Sequence, residues 1–155
     1  LEVETEHNLI LSIPGINAPV KLRGVVDRLD RCNGVLRVID YKTGNVQPSD
    51  LNISDWAELA ESHKKEKAFQ LLTYAYMHFK DDQGFKSMEQ QTIAGILSFK
   101  NFGQGLMTYA FKPDRNKRLE EISLETLSLY QEQLFELIRE IHNPEIPFIA
   151  HKESN

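Results

Sequence analysis

The chain has 155 residues, of which 41% are hydrophobic and 26% are charged, and this composition is that of one folded domain rather than of a disordered chain. Its single cysteine, Cys32, excludes an internal disulfide framework, a four-cysteine zinc site and a four-cysteine iron–sulfur cluster built from this chain alone. The formal net charge of −5 argues against a protein that binds a polyanion by charge alone.

No apolar stretch approaches the ~20 residues that a transmembrane helix needs. We therefore expect no membrane partner, and the near absence of cysteine favours a cytoplasmic location. The chain opens with Leu-Glu-Val-Glu-Thr-Glu, which is neither an initiator Met nor a signal peptide. We expect a single domain over residues 1–155 that forms the C-terminal part of a larger protein.

The first half of the chain predicts three strands. Residues 3–13 are rich in β-branched residues and stop at a Pro-Gly turn signal. Residues 20–30 and 35–41 are also β-branched, and the turn dipeptide Asn33-Gly34 lies between them. This pattern indicates a hairpin, and the connection that follows contains a predicted short helix over residues 55–61.

The second half predicts two helices and two more strands. Residues 66–80 and 123–141 carry apolar side chains three and four positions apart, as amphipathic helices do. Residues 92–99 and 106–111 are predicted to form a second hairpin. The order of elements predicts a mixed α/β (α+β) domain with a central mixed β-sheet flanked by α-helices. Four aromatic side chains are expected in the core: Trp56, Tyr76, Phe79 and Phe99.

Two carboxylates and a lysine converge in the first hairpin. A two-residue turn at Asn33-Gly34 places Asp27 directly opposite Asp40. Like charges in that position are destabilising unless a cation or a proton lies between them. Lys42 shares the face of Asp40, because side chains alternate along a strand. Oxygen ligands of this kind favour Mg²⁺, and the usual substrate at such a Mg²⁺ site is a phosphate ester.

The residues alone leave an alternative open. A four-residue loop over 31–34 would pair Asp27 with Val38 instead. Asp40 and Lys42 would then be alternate residues on a solvated strand face. Against this alternative, Asp40 follows an apolar pair, Val38-Ile39, where a solvent-facing charge is less expected.

The segment around these residues resembles a known nuclease family. Residues 24–44 read GVVDRLDRCNGVLRVIDYKTG, and Gln70-Leu71-Leu72-Thr73-Tyr74 follows on the predicted helix. The ordered motifs G-x-x-D-R, I-D-Y-K-T-G and Q-x-x-x-Y resemble the RecB/AddB-like branch of the PD-(D/E)XK nuclease superfamily. The resemblance implies a restriction-endonuclease-like core and a metal-dependent deoxyribonuclease, an exonuclease of DNA repair or recombination.

The resemblance also implies a role for each residue of the motifs. The implied catalytic residues are Asp27, Asp40 and Lys42. The implied ligands of Mg²⁺ or Mn²⁺ are Asp27, Asp40 and the main-chain carbonyl of Tyr41. Gln70 and Tyr74, one helical turn apart, are implied to support the active site or to contact DNA. The implied partners are DNA and a helicase-like region in the same parent chain or in a partner subunit.

Three features depart from the family pattern. Val26 stands where the superfamily's name has a proline, as in other RecB-type members. The upstream helix whose His or Glu supports metal binding is expected to be absent, because the chain begins in a predicted strand. Glu4, Glu6 and His7 are the available substitutes, but their strand-like position favours a solvated edge. Some AddB-like members carry an iron–sulfur cluster, and a lone Cys32 predicts none here.

The sequence leaves two other function classes open. One is a nuclease-fold module that no longer cuts and serves as a DNA-binding or structural part of a helicase–nuclease complex. The other is a phosphate-ester hydrolase that acts on something other than nucleic acid, and it is disfavoured because no nucleotide-phosphate loop of the G-x-x-x-x-G-K-[ST] type is present. Two basic clusters could contact phosphates, but solvated side chains are the favoured interpretation. The clusters are Lys64, Lys65 and Lys67, and Arg115, Lys117 and Arg118.

Overall fold

The computed structural model of the chain describes residues 1–81 and 83–147. The first half contains the strands β1 (Glu2–Leu11), β2 (Val20–Cys32), β3 (Val35–Lys42) and β4 (Asn52–Ile53), then the helices α1 (Glu58–Glu61) and α2 (Glu66–Phe79). The second half contains the strands β5 (Lys80–Asp81), β6 (Gly84–Phe85), β7 (Thr92–Ser98), β8 (Met107–Thr108), β9 (Ala110–Asp114) and β10 (Lys117–Leu119), and the helix α3 (Leu124–His142).

The centre of the fold is a five-stranded mixed sheet in the order β1-β2-β3-β7-β8. The strands β1, β2 and β3 are antiparallel neighbours, whereas β3 and β7 are parallel. Parallel neighbours need a crossover connection, and α2 lies within it. The apolar side of α2 packs on the central strands, and α3 packs on α2. This architecture confirms the predicted α+β domain with a restriction-endonuclease-like core.

The turn between β2 and β3 has two residues. Asn33 has a φ of 53° and Gly34 a φ of 81°, both in the left-handed region that a type I′ turn requires. Strand pairing runs from this turn to Arg28 and Ile39 without a shift in register. The two-residue turn is therefore confirmed, and the four-residue alternative is wrong.

The two long helices begin and end within one residue of their predicted bounds. Ser123 caps α3, because its hydroxyl accepts a hydrogen bond from a backbone N–H of the first turn at 3.1 Å. Side-chain hydrogen bonds join α3 to α2: the Tyr76 hydroxyl donates to Gln131 Oε1 at 2.9 Å, and the hydroxyls of Thr73 and Tyr130 are 2.5 Å apart. Within the described ranges, no helix is both long and apolar enough to cross a membrane.

Residues 106–111 do not form the single strand that was predicted. Met107–Thr108 pairs with β7, whereas Ala110–Asp114 pairs with β10 and β4 in a separate three-stranded sheet. Tyr109 lies at the change of sheet, fully buried, and its N–H donates to the Ala94 carbonyl at 2.9 Å. The chain thus passes from one sheet to the other at a buried aromatic residue.

The prediction of a core position for Phe99 is wrong. Tyr76 and Phe79 are buried and Trp56 packs against the core, but Phe99 is 60% exposed. β7 ends at Ser98, whose side chain is buried on the side of α2. Because side chains alternate, Phe99 lies on the opposite face of the sheet.

His7 of β1 and His78 of α2 meet edge to face, with ring centroids 5.9 Å apart. His7 is half-buried, so the prediction of a solvated edge is wrong for this residue, whereas Glu4 and Glu6 are exposed as expected. Burial lowers the pKa of both imidazoles, and the ammonium of Lys86 lowers each further. The carboxylate of Glu2 opposes both shifts.

Folding stability is predicted to fall as the pH decreases from about 7.5 to about 5.5, on either side of the ordinary histidine pKa of 6.5. The folded state disfavours the protonated rings, so the unfolded chain binds more protons in this range and stability rises with pH. Thermal denaturation at a series of pH values measures the slope. His78→Gln should make the slope shallower, and His63→Gln, at an exposed position, should leave it unchanged. Equal slopes for His78→Gln and the unaltered protein would contradict the prediction.

Candidate active site

Asp40 is a buried carboxylate on the side of the sheet that faces α2. Only 2% of the residue is exposed. The Nζ atom of Lys42 lies 2.9 Å from Asp40 Oδ2 and forms an ion pair with it, and no other described group donates to this oxygen. Burial raises the pKa of Asp40, the Lys42 ammonium opposes the shift, and the Asp27 carboxylate adds to it. Asp40 Oδ2 therefore has a free lone pair in a place where a cation would be favoured.

The carboxylate of Asp27 reaches across to β3. Its Oδ2 accepts a hydrogen bond from the backbone N–H of Tyr41 at 2.8 Å. Backbone pairing between β2 and β3 stops short of these residues, so this N–H takes a side-chain partner instead. The N–H and C=O of a strand residue point to the same neighbour. The carbonyl of Tyr41 therefore faces Asp27, and the next carbonyl, of Lys42, faces β7.

An interruption in the sheet lies at Asp27. The pairing of β1 and β2 is continuous except at Glu4, opposite Asp27, where φ is 50°. Val26 and Leu29 both lie in the core, so the alternation of faces along β2 is broken between them. Because of this break, the Asp27 side chain does not project straight from one face of the sheet. Its carboxylate turns toward β3 instead.

Gln70 and Tyr74 of α2 continue the polar contacts that start at Asp40. Lys42 Nζ donates to Gln70 Oε1 at 2.8 Å, and Gln70 Nε2 donates to the Tyr74 hydroxyl at 2.6 Å. Burial raises the pKa of Tyr74, the hydrogen bond from Gln70 opposes this shift, and the Asp40 carboxylate adds to it. A continuous chain of contacts thus joins β3 to α2.

Gly24 allows α2 to lie close to β2. A Cβ atom at this position would be 2.5 Å from Cε of Met77 and 3.6 Å from Cε1 of Tyr74. The glycine of the motif G-x-x-D-R therefore leaves room for two α2 side chains over the strand that carries Asp27. The glycine was already part of the sequence motif, but only the structure shows that it is needed for the close packing of α2 on β2.

A second polar cluster lies on the opposite face of the sheet, and sequence reasoning missed it. Asp30 is 6% exposed and accepts hydrogen bonds from Arg37 Nε at 2.6 Å and Arg28 Nε at 2.7 Å. Hydrogen bonds from Arg37 hold the pKa of Asp30 below its usual range despite burial. Arg28 Nη1 also lies 3.4 Å from the Tyr41 hydroxyl. The sequence could have predicted this cluster, because the two-residue turn pairs Asp30 with Arg37 across the hairpin.

Several members of the two basic clusters have partners within the chain. Lys65 Nζ donates to the carbonyls of Ser49 and Asn52 at 3.1 and 2.7 Å. Lys67 Nζ lies 3.4 Å from a carboxylate oxygen of Asp50. These contacts fasten the segment before α2, so neither lysine is the simply solvated side chain that was predicted.

The oxygen atoms beside Lys42 fit a hard divalent cation. No group of three or more His, Cys, Asp and Glu side chains arranged to hold a metal occurs within residues 1–81 and 83–147. The available donors are two carboxylates and the Tyr41 carbonyl, an all-oxygen set, and Mg²⁺ is commonly held by one or two carboxylates with water and substrate phosphate. The buried Asp40 Oδ2, which has no partner other than Lys42 among the described groups, is the observation that supports this fit.

Comparison with protein-family models gives one match, to the PD-(D/E)XK nuclease superfamily, over residues 1–153. No curated protein and no solved structure matches the chain. The family match spans the central sheet, α2 and α3, and it includes all three motifs that meet beside Asp40. The chain therefore belongs to the PD-(D/E)XK nuclease superfamily.

Proposed function

We propose that this protein is a Mg²⁺- or Mn²⁺-dependent nuclease that hydrolyses phosphodiester bonds of DNA, with Asp27, Asp40 and Lys42 as its catalytic residues. Membership of the superfamily indicates nuclease activity. The observation that supports these residues most strongly is the buried Asp40 Oδ2, which is paired with the Lys42 ammonium at 2.9 Å and has no other partner among the described groups. Such an oxygen is costly to bury unless it has a further role.

Asp27, Asp40 and the carbonyl of Tyr41 would hold the cation. The chemistry that Mg²⁺ or Mn²⁺ supplies when bound is a positive charge that polarises a phosphoryl oxygen and makes water a stronger nucleophile. The two carboxylates and the Lys42 ammonium leave an excess of negative charge on the protein side. A phosphodiester would be repelled by that charge, which explains why this site requires a cation.

Lys42 is placed to act on the substrate directly. Its ammonium pairs with Asp40 and donates to Gln70, which leaves donor capacity for a phosphate oxygen or for the attacking water. The side chain is 30% exposed, so it is within reach of a bound strand. In this role Lys42 orients the nucleophile and offsets the charge that develops on the phosphoryl group.

We infer further that the nuclease is of the RecB/AddB-like kind and acts in DNA repair or recombination as an exonuclease. We place it in a larger protein, with a helicase-like region in the same chain or in a partner subunit. The support for this finer assignment is the set of ordered motifs, from G-x-x-D-R to Q-x-x-x-Y.

A second candidate is a nuclease-fold module that binds DNA or serves a structural role without cutting. One observation favours it: the described residues contribute two carboxylates to the site and no third metal-binding side chain. The intact contacts of Lys42 with Asp40 and Gln70 favour the nuclease. The two candidates differ in whether the site binds a divalent cation.

Calorimetric titration with Mn²⁺ is expected to show saturable binding to the unaltered protein. Asp27→Asn and Asp40→Asn should each weaken binding by at least about tenfold, because each removes a charged ligand. Asp114→Asn is the matched control, since Asp114 is an exposed aspartate of β9. Binding that is absent, or that neither variant changes, would favour the second candidate.

Cleavage of end-labelled DNA in Mg²⁺ or Mn²⁺ is expected to fall by at least about 100-fold in Asp40→Asn, the scale on which the loss of one preorganised electrostatic group acts. The variant should remain folded, because the amide keeps the shape of the side chain, and Lys42 keeps Gln70 as a partner and is 30% exposed to water. A thermal melt checks the fold. Full cleavage activity in folded Asp40→Asn would contradict the assignment.

Gln70→Ala is expected to lower kcat by about 10- to 100-fold while Mn²⁺ affinity is retained, because Gln70 holds Lys42 and not the carboxylates. Gln70→Glu keeps an acceptor for Lys42 and should recover part of kcat. Gln131→Ala is the matched control, because Gln131 also bonds a side chain of α2, but away from the site. An unchanged kcat in Gln70→Ala would exclude a positioning role.

A further inference from the structure

Between the two site residues of β3, an aromatic side chain lies on the opposite face of the sheet. The ring of Tyr41 stacks on that of Phe99, with centroids 6.0 Å apart and planes 25° apart. The N–H of Phe99 donates to the carbonyl of Lys42 at 2.9 Å, which fixes the two chain segments side by side. The aromatic pair therefore lies directly across the sheet from Asp40 and Lys42.

Packing of the core does not explain why Phe99 is exposed. This side chain is 60% exposed, and Phe102 in the turn that follows is 64% exposed. Large apolar side chains that stay in water close to one another are typical of a binding surface, and this one lies on the face of the sheet opposite the site. The stacked geometry leaves the Phe99 ring free to receive another flat group.

Positive charge borders the aromatic pair. The guanidinium of Arg28 is held by Asp30 and lies 3.4 Å from the Tyr41 hydroxyl, and 37% of its side chain is exposed. Lys100, which follows Phe99, is also exposed. An apolar protein partner would not need these cations, whereas a strand that alternates bases and phosphates complements both the rings and the charges.

We propose that Tyr41 and Phe99 form a stacking platform for unpaired nucleobases, with Arg28 contacting the phosphates of the same strand. The proposal rests on the proposed nuclease function and adds to it how the substrate strand is held. Bases in an intact duplex have their faces covered by their neighbours, so the platform binds an unpaired segment. Stacking is tolerant of sequence, because every base has an aromatic face.

Fluorescence anisotropy in EDTA tests the platform without cleavage. The probes are a labelled oligodeoxyadenylate of about 15 nucleotides, near the upper limit of known single-strand site sizes, and an abasic oligonucleotide of equal length. The unaltered protein is expected to bind the first about 5- to 100-fold more tightly, the effect of stacking one base. Both probes carry the same phosphates, so their difference isolates the bases.

Phe99→Ala and Phe99→Leu should abolish this preference, and Phe99→Trp should retain it. Leu keeps an apolar contact with Tyr41 but has no aromatic face. Ile10→Ala is the control, because Ile10 is 56% exposed on the same face of the sheet but on β1. A thermal melt of each variant confirms that it is folded.

Equal binding of the two probes by the unaltered protein overturns the platform, as does a preference that survives in Phe99→Ala and Phe99→Leu. Failure of the nuclease assignment gives a different result, because it is measured separately by DNA cleavage in Mg²⁺. Cleavage that is equal in Asp40→Asn and the unaltered protein rejects the catalytic site and leaves the binding comparison intact.

Discussion

A carboxylate that has left water needs a charge partner, and the geometry around Asp40 follows from that requirement. Lys42 supplies the charge, and Gln70 of α2 then holds the ammonium in place. This arrangement works only if α2 lies close over the strands, which Gly24 allows, and if β7 covers the other edge of β3. The crossover that makes β3 and β7 parallel is thus also the feature that builds the site.

The parts of the site that the sequence predicted are those fixed by local rules. Asn33-Gly34 selects one turn type, and the turn type sets the register of the hairpin. Register brings Asp27 and Asp40 to neighbouring strands, and strand alternation adds Lys42 on the face of Asp40. The contact of Gln70 with Lys42 needed more than local rules, and the resemblance of the ordered motifs implied only that Gln70 supports the active site or contacts DNA.

The parts that were missed depend on which distant segment covers a residue. An apolar run such as 106–111 carries no local sign of the change of sheet that occurs at the buried Tyr109. Phe99 is a residue type usually found in the core. Only the structure, in which β7 ends at Ser98, shows that Phe99 lies on the exposed face. His7 is half-buried because α2 packs against β1. Propensity and periodicity do not contain this information.

The parallel pairing of β3 and β7 also joins segments that are far apart in the chain. The hairpin closes through a two-residue turn, whereas the Ser98 hydroxyl reaches the Gly44 carbonyl across 54 residues of chain. Closing a long loop costs more entropy than closing a turn, so distant pairing forms later. The hairpin alone leaves both Asp27 and Asp40 hydrated, because it is β7 and α2 that cover Asp40. The cation site that we propose is therefore complete only when these distant segments have packed on β3, and it distinguishes a finished molecule from one that has only its hairpin.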